Sequence, residues 1–253
     1  MISRNIRVIS RLDIKGERLI KGVHLEGLRQ VGWPNDYAKR YYQEGIDELL
    51  IVDIVASLYG RNINSDVINQ ATLDVFVPVA AGGGVRTLSD AEELLNAGAD
   101  KIVTNTGSVK YKELIRELAL KYGSQAVVCS IEAKRQNADY WEVYTESGRE
   151  RSGLSVIEWA KTVQELGAGE IFVTSIDNEG TGLGFDIDLV ERVVDAVHIP
   201  VVASGGFGNL HHLDAVLQVG VSGVAIADAF HFSKCTVSNV KDYIAKIGYE
   251  VRP

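Results

Sequence analysis

The chain has 253 residues, 46% of them apolar, enough to bury a sizeable core as one α/β barrel or as two smaller domains. A formal net charge of −8 argues against nucleic acid as the main partner, while a local basic pocket for phosphates stays open. No run of 18 apolar residues and no secretory signal pattern occurs, so a membrane span is not expected and the expected location is cytoplasmic.

In chain order, apolar runs rich in Val and Ile predict strands over 6–12, 48–53, 76–81, 101–105, 126–132, 169–175, 199–204 and 222–227. Amphipathic stretches predict helices over 34–45, 64–73, 87–97, 108–122, 155–166, 186–197, 209–218 and 236–247. Eight strands alternating with eight helices in a chain of this length match a closed (β/α)8 barrel. An open doubly wound sheet is the competing reading, but no G-x-G-x-x-G follows the first strand. The segment 133–152, "AKRQNADYWEVYTESGRERS", departs from the alternation and reads as a small hairpin inserted after the fifth strand, over the mouth. Cys129 and Cys235 lie far apart and read as small buried hydrophobes rather than a disulfide or a metal pair.

The chain repeats itself at half its length. "GIDELLIVDI" (45–54) matches "GAGEIFVTSI" (167–176), "AGGGV" (81–85) matches "ASGGF" (203–207), and "NAGADKIV" (96–103) matches "QVGVSGVA" (218–225). Each pair is offset by 122 residues, which predicts two four-unit half-barrels rather than a solenoid. Residues 126–132 read as a strand where a linker would fall, so a single domain over 1–253 is expected.

Two glycine-rich corners, "AAGGGVRTL" and "VVASGGFGN", stand at symmetric positions of the repeat. Glycines at a strand end let backbone amides approach a phosphate. One such corner is equally well a tight turn; two related by the duplication favour a ligand held at both ends, as a bis-phosphate would be. Carboxylates cluster at strand ends: Asp13, Asp53, Glu132 and Asp177. Asp13 and Glu132 hold equivalent positions in the two halves and suit general acid and base work. No histidine stands at a strand end with them, so a metal is not expected, and no other cofactor is implied.

The stretches "LDIKGERLIKGV", "GIDELLIVDI", "AGGGVRTLSDAEELLNAGADKIVTNT", "GLSVIEWAKTVQELGAGEIFVTSID", "EGTGLGFD" and "IPVVASGGFGN" resemble the cyclase subunits of imidazole glycerol phosphate synthase, the HisF-like barrels. The resemblance spans essentially the whole chain. It implies a barrel that receives ammonia from a glutaminase partner and uses it on a bis-phosphorylated small molecule, in histidine biosynthesis. It implies Asp13 and Glu132 as the acid/base pair and Lys21 on a flexible loop over the site. One phosphate site would comprise Gly83, Gly84, Asn105 and Thr106; the other Glu179, Gly180, Thr181, Gly205, Gly206, Ala227 and Asp228. Arg7, Glu48, Lys101 and Glu170 match the family's ring of charges at the ammonia inlet; taken alone, such charges read as a solvated rim or an ion-pair network.

Several positions depart from the family pattern. Glu132 and Glu179 are each one methylene longer than the family's aspartates, Arg11 replaces a small residue, and Trp33 replaces an aspartate. Asp228 stands where a serine is expected to donate to phosphate; alternatively it caps the helix that follows. A carboxylate about 4 Å from a phosphate is repulsive by several kcal/mol at an intermediate dielectric. Three readings follow: the histidine-pathway cyclase, a paralogue supporting ammonia-dependent amidination of surface-polysaccharide sugars, and a non-catalytic scaffold that activates its glutaminase.

Overall fold

A computed structural model describes residues 5–252. In chain order it contains β1 (Arg7–Lys15), β2 (Arg18–Val23), β3 (Glu26–Gly32), α1 (Pro34–Gln43), β4 (Glu48–Asp53), α2 (Ser65–Leu73), β5 (Val79–Gly82), α3 (Leu88–Asn96), β6 (Lys101–Thr104), α4 (Thr106–Lys110) and α5 (Glu113–Tyr122). The second half contains β7 (Val127–Asn137), β8 (Tyr140–Thr145), β9 (Glu150–Ser155), α6 (Val156–Glu165), β10 (Glu170–Ser175), α7 (Ile187–Ala196), β11 (Val201–Ser204), α8 (His212–Gln218), β12 (Gly223–Ile226), α9 (Asp228–His231) and α10 (Val237–Lys246).

Eight of these strands pair in parallel, in the circular order β1, β4, β5, β6, β7, β10, β11, β12 and back to β1. This is a closed (β/α)8 barrel. Side chains alternate between its interior and the helix layer. The large apolar cluster, from Ile6 and Val8 through Ile244, fills the space between sheet and helices. Inside the barrel, each strand contributes one apolar residue to a separate layer: Ile9, Leu50, Ala80, Val103, Val128, Phe172, Val202 and Ala225. Burial of these two surfaces is the dominant favourable term for the fold.

All eight predicted strands and helices occur within a few residues of their expected bounds, with two differences. The helix expected over 108–122 is divided into α4 and α5, because Tyr111 takes an extended conformation (φ −141°, ψ 87°) between them. Residues 18–32, for which no element was expected, form the antiparallel hairpin β2–β3. Its turn places His24 and Leu25 at φ 53° and 61°, a left-handed pair that a two-residue hairpin needs but that their side chains do not favour.

The insertion after the fifth strand extends beyond the expected segment. β7 itself continues past the barrel to Asn137, β8 returns against it, and β9 runs on to Ser155. Trp141 anchors the unit to α7: its indole donates to the Asp186 carboxylate at 3.0 Å, and the Arg135 guanidinium stacks on its ring. Both hairpins rise from the C-terminal ends of barrel strands and meet above the mouth, where Leu25, Tyr144 and Ile176 form a small buried cluster.

Candidate active site at the barrel mouth

The strand alternation that puts Ile9 inside the barrel also turns Arg7, Arg11 and Asp13 inward from β1. Their surroundings differ sharply with depth. At the bottom, Arg7, Glu48, Lys101 and Glu170 are each the first residue of a barrel strand. Arg7 Nη1 lies 2.7 Å from Glu48 and its Nη2 pairs with Glu170; Lys101 Nζ lies 2.8 Å from both Glu48 Oε1 and Glu170 Oε2. The four charges thus form a closed circuit of alternating sign. Burial opposes ionisation of Glu170, but Arg7 and Lys101 outweigh it and hold its carboxyl below the usual range. A solvated rim is therefore not what these residues make; they make a partly buried ion-pair network across one end of the barrel.

Above the apolar layer the interior becomes polar. Arg11 Nε donates to Asp13 Oδ1 at 2.7 Å, and Nη1 donates to Thr174 Oγ1 at 2.9 Å and to Ser204 Oγ at 3.4 Å. The guanidinium lies 5.8 Å from the centre of the Phe172 ring. Burial would discharge it, but Asp13, Glu179 and Glu132 surround it and keep it cationic, with its pKa raised above the ordinary value. Glu132 is on β7, and its Oε2 accepts from the Gly148 amide at 2.9 Å. Burial pushes its carboxyl up to about 7, against the opposing pull of Arg11. Asp13 and Glu132 therefore share one cation yet differ in setting, since Asp13 holds the guanidinium directly.

Two cavities flank this centre. The first is lined by Arg11, Glu132, Gly83, Gly84, Asn105 and Thr106, among others, so four expected phosphate residues and one expected acid/base residue share a wall. Gly83 (φ 122°) and Gly84 (φ 74°) take conformations that favour glycine, and a Cβ on Gly84 would strike the Arg61 carbonyl. The tip of the second hairpin roofs this cavity. The Glu146 amide donates to Thr106 Oγ1 at 3.1 Å, Lys110 pairs with the Glu146 carboxylate at 2.7 Å, and Ser147 donates to the Ile54 carbonyl.

The second cavity is lined by Glu179, Gly180, Gly205, Gly206, Ala227 and Asp228 with Ser204, Phe207, Ala225 and Ile226. Asp228 is not a helix cap. Ala227 holds the N-cap position of α9 and no side chain caps it, while the Asp228 carboxylate pairs with Lys234. Thr181 lies outside both cavity linings; its hydroxyl donates to the Asn178 carbonyl at 2.7 Å and accepts from Leu183 N at 3.2 Å, closing a turn. Lys21 stands on strand β2 rather than on a loop, is buried, and pairs with Glu179. The hairpin seats it there, with the His24 amide donating to the Glu179 carbonyl at 2.8 Å.

Asp53 and Asp177 prove to be supports. Asp53 accepts from Arg61 at 2.7 Å and from the Gly16 and Val55 amides; Asp177 accepts from the Arg135 amide at 2.8 Å. Among the described residues, no group of three or more His, Cys, Asp or Glu is arranged to hold a metal ion. No described helix is long and apolar enough to cross a membrane. Thr174, Ser204 and the Glu146–Gly148 tip complete the mouth without having been singled out in the sequence. Thr174 was readable in principle, since it follows Phe172 by two along an inward-facing alternation; the hairpin tip carried no such signal.

Comparison with known proteins places this geometry. The family model described as "Histidine biosynthesis protein" matches residues 7–236. The chain belongs to this family. A Legionella pneumophila protein named imidazole glycerol phosphate synthase subunit HisF is 54% identical over 210 residues, covering 83% of this chain and 99% of that protein. Proteins of the same name from Pyrobaculum aerophilum and Pyrococcus furiosus are 47% and 46% identical, covering 98% and 97% of this chain and 98% of each relative. The HisF-like resemblance drawn from the motifs thus extends across the barrel, including both glycine corners.

Proposed function

We propose that this chain is the ammonia-using cyclase subunit of an imidazole glycerol phosphate synthase-type complex, working in histidine biosynthesis with a glutaminase partner in the cytoplasm. One observation carries the reading. A single barrel has a closed four-charge ring at the strand starts and two glycine-loop cavities around a carboxylate-lined mouth at the strand ends, in a chain 47% identical to a HisF subunit over 98% of its length. The ring is the docking and inlet end, where the glutaminase delivers ammonia. Asp13 and Glu132 are the acid/base pair, with Glu132 positioned to exchange a proton near neutral pH, where its raised pKa makes transfer in both directions accessible. Gly83, Gly84, Asn105 and Thr106 hold one phosphate of the substrate; Gly180, Gly205, Gly206 and Ala227 face the other end, and Lys21 closes the site with its hairpin. The barrel is read as one domain.

Turnover tests the reading. Purified chain with an ammonium salt and the bis-phosphorylated substrate of the family releases an aminoimidazole nucleotide. Addition of the glutaminase encoded beside it yields a 1:1 complex with faster glutamine hydrolysis. Absence of both activities removes the reading. The Asp228–Lys234 pair at the second cavity favours one second reading, a paralogue on the same scaffold that directs ammonia to a sugar substrate. It predicts the 1:1 complex without cyclisation of the bis-phosphate.

A further inference from the structure

Arg11 is buried at the centre of the mouth, and the reading above gives it no task. Its guanidinium is fixed on two sides, with Nε on Asp13 Oδ1 at 2.7 Å and Nη1 on Thr174 and Ser204 at 2.9 and 3.4 Å. Nη2 makes no hydrogen bond among the described residues, and Arg11 lines the first cavity beside Glu132, Ser130 and Asn105. A residue kept only to neutralise Asp13 needs neither the fork nor the open nitrogen, and a fork held this rigidly presents its remaining N–H groups in one direction. The cation stands between Phe172 of the apolar barrel layer and the first cavity.

We propose that Arg11 is a further catalytic residue: its Nη2 donates to an oxygen of the substrate's reacting carbonyl and holds the negative charge that ammonia addition places there. The inference rests on the reading of ammonia as nucleophile. The nitrogen lone pair forms the new C–N bond while the C=O π pair moves onto the oxygen facing Nη2. The proton lost by the ammonium nitrogen passes to the Glu132 carboxylate. Glu132 returns it to the oxygen, giving a neutral carbinolamine. A second proton then passes from the nitrogen through Glu132 to the hydroxyl as the nitrogen lone pair forms the C=N bond and the C–O bond breaks, so water leaves and the imine remains. Atoms and charge balance with no further reactant. Arg11 supplies preorganised donors where charge develops, in a site largely closed to water.

The test uses the whole chain with an ammonium salt and the family's bis-phosphorylated substrate. Wild-type turnover decides the functional reading by itself. Given turnover, Arg11→Lys and Arg11→Ala are expected to lose about 100-fold or more in kcat with a much smaller change in KM, as for removal of an oxyanion donor. Lysine can keep the pair with Asp13 but not the fork, so activity restored by Arg11→Lys assigns Arg11 to positioning alone and overturns the proposal. Guanidinium ion is expected to restore part of the activity of Arg11→Ala, and an alanine variant within about threefold of wild type also overturns it. A second arm is independent of turnover and of variant folding. Acetate, as an oxygen-acceptor probe, is titrated into wild-type protein labelled with 15N-arginine. A shift of the Arg11 Nη2 resonance supports an open donor, and no shift at saturating acetate overturns it even if the substrate proves to be another.

Discussion

Glu132 makes the fold pay for the site, and the effect is measurable as a pH-dependent stability difference. Its carboxyl is pushed from the ordinary 4.5 up to about 7, burial being the largest cause and Arg11 the main opposing one. For a carboxylate raised on folding, the sign is as follows. Below about 4.5 both states are protonated and the group is neutral towards stability. Between about 4.5 and about 7 the unfolded chain ionises first, so stability falls as pH rises; above about 7 the loss is complete. At 1.36 kcal/mol per pH unit, the whole loss is about 3 kcal/mol. Glu132→Gln keeps an acceptor for the Gly148 amide, now 2.9 Å away, and removes the ionisation. The variant is therefore expected to lie within about 1 kcal/mol of wild type near pH 5 and to exceed it by up to about 3 kcal/mol near pH 8. Urea unfolding of both proteins from pH 5 to 8.5 reads the difference directly. A Gln variant less stable than wild type at pH 8, or a difference that does not change with pH, would refute the argument. The same variant is expected to lose ammonia-dependent turnover, a trade of stability for function common at active sites.

Three further outcomes follow from the geometry. Asp228→Ser releases Lys234 and removes a carboxylate from the second cavity, so calorimetry is expected to show at least about a tenfold gain in affinity for a bis-phosphate substrate analogue; unchanged affinity would mean Asp228 does not set the preference. Gly206→Ala forces a Cβ into the Gly184 carbonyl at φ 101°, and chemical denaturation is expected to show a loss of about 1–3 kcal/mol or more; wild-type stability would contradict the close approach. Lys101→Met opens the four-charge circuit, leaving Arg7 alone between Glu48 and Glu170. In the complex, glutamine consumed is expected to exceed ammonia used, and a ratio still near one would remove the ring from the ammonia path.

The barrel was legible in the sequence because two periodicities are local properties of the chain. Alternation along Arg7, Ile9, Arg11 and Asp13 sorts side chains to one face of a strand, and the 122-residue repeat places both glycine corners at the same end of the sheet. Arg7, Glu48, Lys101 and Glu170, each at the start of its own barrel strand, could be aligned by register alone. Their closure into one ion-pair circuit depended on a barrel narrow enough for Arg7 to reach a residue 163 positions away. The hairpin over 18–32 escaped because its glycines and register shifts blur the alternation, and its stability comes from contacts made by His24 and Lys21 with the segment around Glu179. Asp228 could be recognised as a misplaced carboxylate, but only the fold brought Lys234 to it and gave the cap position to Ala227. Arg11 is the clearest case. Its position could be read as inward-facing, while its bonds to Thr174 and Ser204 and its open nitrogen arise from three strands meeting at the mouth. Such contacts depend on distances between segments far apart in the chain, which no local pattern encodes.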